Sequence, residues 1–245
     1  MTKDKLVSLA EAFGVIACEN PEQGVFGESL YLDTETLAKG ISKKLGFPAT
    51  PPPIDGGLLK IVAGHALFNE RDLNAIFTAF TLATYKPSSV CEIGAGSGRV
   101  AYWSHRLGMR RYILVDLPHI NAVQGFYLLK ALPDAAIRLH GEPLPEAELA
   151  VLPVSAIETV GKVDVVLNQD SFPEIDRDVV IGYLEWIKRN ARRFISINHE
   201  SKPRHRLGQQ LSVPELIAEV GGLRLKSRNP YWLRKGYVIE VYEVS

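Results

Sequence analysis

The sequence predicts an α/β protein built on one mostly parallel sheet of seven strands that closes with an antiparallel hairpin, and three observations predict it. From Pro87 onward short apolar runs alternate with stretches of helical periodicity, the pattern of parallel strands covered on both faces by crossover helices. The first of those runs, Val90 to Ile93, dissolves into strictly alternating glycines at Gly94, Gly96 and Gly98 before a helical pattern begins. The chain ends in two β-rich runs, Leu223 to Leu233 and Tyr237 to Val244, joined across Arg234-Lys235-Gly236.

Residues 1–65 read differently. They carry irregularly spaced glycines and the stiff segment Phe47-Pro48-Ala49-Thr50-Pro51-Pro52-Pro53, which neither a regular helix nor a central strand accommodates. Residues 1–85 are therefore expected to form a loose helical extension that caps an acceptor site, and 86–245 the main domain. One clean helix lies in the extension: Asn69 caps it, Asp72 follows three residues on, and Leu73, Ile76, Phe77 and Phe80 share a face. In the main domain, strands are expected at Val90 to Ile93, Tyr112 to Val115, Ala136 to Leu139, Val163 to Leu167 and Phe194 to Ile197. Helices are expected at Arg99 to Leu107, Ile120 to Leu132 and about Asp176 to Arg193, the last with an apolar stripe of Val179, Val180, Tyr183, Leu184 and Ile187. A further helix opens on the capping-box pair Ser212 and Glu215 and closes at Gly221 and Gly222. The Pro- and Glu-rich stretch 141–160 gives no assignable element.

Composition excludes several classes of function. Apolar residues make up 46% and charged residues 23% of the 245, an ordinary globular mixture. Lys and Arg equal Asp and Glu at 28 each, so no global field draws the chain to nucleic acid or an anionic membrane. Only Cys18 and Cys91 occur, and Cys91 falls in an apolar strand, which argues against a disulfide framework or a thiolate metal site. Lysines precede an apolar stretch at the start, but Glu11 interrupts it and no small-residue cleavage pattern follows. No apolar run reaches the ~18 residues of a membrane span. A cytoplasmic protein is expected, with its homo-oligomeric state open.

A strand that ends in Gly-x-Gly-x-Gly and becomes a helix offers bare backbone to a ligand and aims a helix N-terminus at it. A dinucleotide fingerprint requires its third glycine three residues after the second, where this chain has Arg99, so NAD loses ground. The arrangement Glu92-x-Gly94-x-Gly96-x-Gly98 instead resembles the first motif of the S-adenosylmethionine-dependent methyltransferases of the Rossmann-like class. The resemblance implies a loop, Glu92, Gly94, Ala95, Gly96 and Gly98, that curls round the methionine part of the cofactor. It also implies an acidic residue ending the second strand that accepts hydrogen bonds from the ribose hydroxyls, and Asp116, followed by Leu117, stands there. The plainer reading of Asp116 is a cap on the following helix. Further runs, Val115-Asp-Leu-Pro-His119, Gln124-Gly-Phe-Tyr-Leu128, Asn168-Gln-Asp-Ser-Phe-Pro-Glu174 and Ser196-Ile-Asn-His-Glu200, resemble the sugar O-methyltransferases of bacterial polysaccharide gene clusters. They cover about residues 85 to 205 and place Asn168 among the cofactor-binding positions; Ser97 stands where that family often carries a bulkier residue.

The activity implied is methyl transfer to a hydroxyl of a sugar, of a sugar-containing small molecule or of a glycan precursor. The rival readings are methylation of a non-sugar small molecule such as a polyketide, phenol or amine, and a non-catalytic module that binds the cofactor without turnover. A neutral hydroxyl is a poor nucleophile, so a base or a metal should help remove its proton. The carboxyl ends of the fourth and fifth strands offer candidates. His199 is the expected general base, with Asp170 or Glu200 orienting it, against the plainer reading of a structural histidine. Asp170, Asn198 and Glu200 form an alternative set of hard ligands for Mg²⁺. Lys188, Arg189, Arg192 and Arg193, with Lys202, Arg204, His205 and Arg206, suit either an acidic ligand or a solvated helix end. Tyr231 and Trp232 suit a sugar face or the core, His119 the adenosine pocket or a cap, and His65 and Phe68 a lid. Nucleic-acid methylation is disfavoured, because Asn168-Gln-Asp-Ser stands where an Asn/Asp-Pro-Pro-Tyr motif would be expected.

Overall fold

A computed structural model describes residues 2–16, 33–54, 59–143, 145–199, 204–205 and 208–244. It divides into two compact units, Met1–Thr84 and Tyr85–Ser245. Among the described residues no helix is long and apolar enough to cross a membrane.

The first unit holds helices α1 (Thr2–Ala12), α2 (Thr34–Leu45) and α3 (Glu70–Thr84), and a short antiparallel hairpin of β1 (Ile61–Ala63) and β2 (Ala66–Phe68) that helical periodicity does not announce. Asp33 caps α2 by accepting from Thr36 N at 2.8 Å, and Gly46 ends it with φ 82°. Leu6, Leu9, Leu37, Ile41, Phe68, Leu73 and Ile76 fill its interior. The expected cap on α3 is reciprocal: Asp72 N donates to Asn69 Oδ1 at 3.0 Å and Asn69 N to Asp72 Oδ2 at 3.2 Å, both residues buried.

The second unit is an eight-stranded sheet with helices. Its strands are β3 (Val90–Ile93), β4 (Tyr112–Asp116), β5 (Ile137–Leu139), β6 (Leu149–Pro153), β7 (Val163–Gln169), β8 (Ala191–His199), β11 (Leu223–Pro230) and β12 (Tyr237–Val244). The tiny pair β9 (Arg204–His205) and β10 (Gly208–Gln209) lies apart from it. Helices α4 (Arg99–Arg106), α5 (Pro118–Ala131), α6 (Arg177–Asn190) and α7 (Val213–Val220) connect the strands. The order is β11-β12-β8-β7-β3-β4-β6-β5; every neighbouring pair from β8 to β5 is parallel, and β12 runs antiparallel to both β8 and β11.

Three expectations are corrected. The sheet has eight strands rather than seven, because Leu149–Pro153, inside the stretch that could not be assigned, is a fully buried strand paired with β4. It displaces Ile137–Leu139 to the edge. Helix α6 ends at Asn190 rather than Arg193, since the parallel ladder with β7 begins at Ala191 opposite Val163. Its stripe is Val180, Leu184, Trp186 and Ile187, while Val179 is 48% exposed. Ser212 is the N-cap residue of α7 but makes no side-chain capping bond; Pro214 in the first turn presets the backbone instead.

The sheet's core gathers Cys91, Ile93, Val115, Val166, Phe172, Leu184, Ile187 and Phe194. Chain order matters more for the site. From β3 the connection runs outward to β4, whereas β7 lies on the other side of β3, so direction reverses between β3 and β7. Ligands of open parallel sheets bind at the carboxyl ends of the strands beside such a reversal.

Candidate cofactor and acceptor site

Three glycines turn the chain at the end of β3, all left-handed: Gly94 with φ 74°, Gly96 with φ 54° and Gly98 with φ 81°. At Gly94 the requirement is steric as well, since a Cβ there would lie 2.5 Å from Ser171 Cβ and closer still to Ser171 Oγ. Around Gly96, by contrast, no described residue stands within 4 Å of a Cβ position. That side of the loop is open.

Asp116 ends β4 beside the loop and is tied to it. Its Oδ2 accepts from Gly96 N at 2.9 Å and from Gln124 Nε2 at 3.3 Å, and its Oδ1 from Leu117 N at 2.8 Å. Gln124, fully buried on α5, also donates to Gly96 O at 2.9 Å, so one side chain holds both the loop and the carboxylate. Desolvation raises the pKa of Asp116, against the backbone donors of Leu117 and Gly96. Asp116 makes no side-chain cap on α5, whose N-cap residue is Leu117; it binds the Leu117 amide and braces the loop, with an acceptor site left on Oδ1.

Glu92 and Asn168 sit behind this surface. Glu92 is buried in β3 and accepts from Tyr112 OH at 2.8 Å, and burial pushes its pKa up to about 8. Asn168, wholly buried at the end of β7, donates to Ile93 O at 3.0 Å and to Ser171 Oγ at 2.5 Å and accepts from Asn198 Nδ2 at 3.0 Å. Ala95 is buried within the loop, and Leu117 and His119 are exposed at the start of α5.

At the ends of β7 and β8 the structure brings Asp170 and His199 together with two residues that the sequence reading passed over. Asp170 has the left-handed φ 68° that its class tolerates better than most. Its carboxylate is bound by Arg234 Nη1, from the turn between β11 and β12, rather than by His199. Arg234 Nη2 donates to Tyr237 OH at 2.5 Å, and the guanidinium lies 3.7 Å from the centre of the Tyr237 ring. Tyr237 is the register partner of His199, their ring centres 3.9 Å apart. Burial first, then Arg234, lowers the pKa of His199, against the pull of Asp170 and Glu174, which favours the neutral imidazole. A neutral imidazole can take a proton.

Glu200 lies outside the described residues, as do Lys202, Arg206 and Cys18. Among the described residues no three His, Cys, Asp or Glu side chains are grouped to hold a metal ion. Asp170 is engaged by a guanidinium, and Asn198 donates to Asn168 and Ser196. The basic residues near the end of α6 are paired: Lys188 with Glu185, Arg189 with Glu158 and Arg192 with Asp164, while Arg193 lies over the ring of Tyr85. Tyr231 is core at 2% exposure, Trp232 is exposed, and Phe68 belongs to the interior of the first unit.

Arg234→Gln removes the cation that lowers the His199 pKa and leaves Asp170 and Glu174 to raise it. The imidazole pKa should then rise, by up to about one unit, in a proton NMR titration of His199. An unchanged titration would show that Arg234 does not set the charge there.

Solved structures share this fold. The mitomycin 7-O-methyltransferase MmcR superposes with a TM-score of 0.54 over 71% of this chain at 19% identity. This is a methyltransferase fold. The glycopeptide N-methyltransferase MtfA in complex with S-adenosyl-L-methionine matches 70% of the chain with a TM-score of 0.53 at 14% identity, and 94% of its own length is covered. The methyltransferase domain of bacterial-CtHen1-CN matches 72% of the chain with a TM-score of 0.52 at 9% identity, its whole length covered. The chain spans about half of MmcR, 54% of its length. At such identities the methyltransferase fold is what is shared. No protein-family model and no curated protein sequence matches the chain.

Proposed function

We propose that this protein is an S-adenosylmethionine-dependent O-methyltransferase acting on a hydroxyl of a sugar, a sugar-containing small molecule or a glycan precursor. The observation that carries the reading is the left-handed glycine loop bonded to Asp116 at the reversal of strand order. The residues fit the cofactor. Asp116 keeps acceptor capacity on Oδ1 for a ribose hydroxyl, and Gly96 leaves its side of the loop open to the methionine part. When bound, the cofactor supplies an activated methyl group on a sulfonium.

The chain's own residues then have separate tasks. The loop backbone and Asp116 orient one reactant, which converts much of the barrier into prepaid positioning. His199, neutral beside Tyr237, takes the acceptor proton, with Asp170 and Arg234 setting the surrounding charge. The sugar assignment rests on the runs at 115–119, 124–128, 168–174 and 196–200 that resemble the sugar O-methyltransferases. Acceptors of other kinds occur on the same fold, as the names of the mitomycin and glycopeptide enzymes state.

Calorimetric titration with S-adenosylhomocysteine, beside NAD, tests the reading on the wild type and Asp116→Ala. Saturable binding of the homocysteine compound, weakened ~10-fold or more in the variant as expected for charge-assisted hydrogen bonds, supports it. Binding of NAD instead, or of neither compound, would overturn it. A panel of methyl glycosides, phenols and amines, read by release of S-adenosylhomocysteine, then separates the sugar acceptor from the others.

A further inference from the structure

Beneath the glycine loop lies a chain of buried amides whose direction is forced. Ile93 O, the carbonyl just before Gly94, can only accept, so Asn168 must turn its Nδ2 toward it, at 3.0 Å. Asn168 Oδ1 therefore faces Asn198, which must present its own Nδ2, again at 3.0 Å. The same Asn198 nitrogen donates to Ser196 Oγ at 2.8 Å, and among the described residues no group bonds Asn198 Oδ1. At the other end Asn168 Nδ2 also holds Ser171 Oγ at 2.5 Å, and Ser171 is the side chain that fills the space where Gly94 would carry a Cβ. Asn168 and Asn198 are 0% and 2% exposed, so water cannot replace a lost member.

We propose that Asn198 is a positioning residue for the glycine loop. Acting from β8, it locks the amide of Asn168, which in turn holds Ile93 O and Ser171 in the arrangement that admits the Gly94 backbone. Only an amide serves both ends. A carboxylate at 198 would set an acceptor against Asn168 Oδ1, and an aliphatic or short residue would leave that oxygen unpaired in the interior, the more costly half of a broken hydrogen bond. The ligand-binding part of the test rests on the cofactor reading above; the loop-ordering part does not.

The experiment compares the wild type, Asn198→Asp, Asn198→Ser and Ser196→Ala, each as the full chain. Hydrogen exchange of residues 94–98 is followed without ligand, and S-adenosylhomocysteine affinity by calorimetry. Both Asn198 variants should speed exchange in the loop ~10-fold and weaken binding ~10-fold, the effect of one buried, unpaired acceptor. Ser196→Ala removes a bond from the same nitrogen but not from the chain to Ile93. It should leave both readouts within ~2-fold even if its thermal midpoint falls. Unchanged loop exchange in a folded Asn198 variant, or an equal effect from Ser196→Ala, would overturn the assignment. If the wild type fails to bind S-adenosylhomocysteine, the cofactor reading falls, while the exchange data still decide the role of Asn198.

Discussion

Gly94→Ala is expected to weaken S-adenosylhomocysteine binding ~100-fold or more, the largest effect of any single methyl group in the loop. Two costs add. The backbone has φ 74°, where a side chain costs roughly 1–2 kcal/mol. The new Cβ would also stand 2.5 Å from Ser171 Cβ, inside any real contact, and Ser171 cannot retreat without leaving Asn168. Overpacking of this kind costs typically 1–3 kcal/mol, which the loop would relieve by moving. The double variant Gly94→Ala/Ser171→Gly removes the collision and keeps the backbone strain, so its affinity should lie between those of the wild type and the single variant. Gly96→Ala, at φ 54° with empty space around it, should barely shift the thermal midpoint beyond its backbone cost. Calorimetry for affinity and scanning for stability check all three. Wild-type affinity in Gly94→Ala would mean that the loop does not cradle the cofactor.

The parts of this site legible in the sequence are those with local causes. Positive φ at alternating positions needs glycine, and so Gly94, Gly96 and Gly98 announce a turn that no other reading explains. Asp116 follows from ending the second strand, and the Asn69–Asp72 cap from a spacing of three. Residues whose partners lie far along the chain were illegible. Arg234 reads as a polar turn residue, yet it spans 64 positions to Asp170. Tyr237 looks like the first residue of a terminal strand until the antiparallel register sets it opposite His199. Glu92 reads as part of a ligand loop because its neighbours are glycines, but alternation along β3 turns it toward Tyr112 in the interior. The strand Leu149–Pro153 was hidden by the prolines and glutamates around it, since strand character there depends on β4 lying alongside.

The buried position of Glu92 has a measurable consequence for stability. Its carboxyl has a pKa of about 8 in the folded chain, chiefly through desolvation, with the charge of Asp116 adding to the rise and the Tyr112 hydroxyl opposing it. In the unfolded chain a glutamate titrates near ~4.3. Between those values the folded state keeps a proton that the unfolded state has released, so stability must fall as pH rises. The contribution is whole below the unfolded pKa and is lost progressively toward pH 8, at roughly 1 kcal/mol per pH unit. Glu92→Gln replaces the protonated acid by a neutral group of the same shape, whose carbonyl can still accept from Tyr112 OH. Its unfolding free energy should match that of the wild type at pH ~4, below the unfolded pKa, and exceed it increasingly toward pH 8, in urea titrations at each pH. Parallel pH profiles would show that Glu92 is ionised in the folded protein. The direction also bears on the site, because an ionised Glu92 and the nearby Asp116 each raise the cost of charging the other. A neutral Glu92 leaves Asp116 free to carry the negative charge beside the loop, where the ribose hydroxyls of the proposed cofactor would meet it.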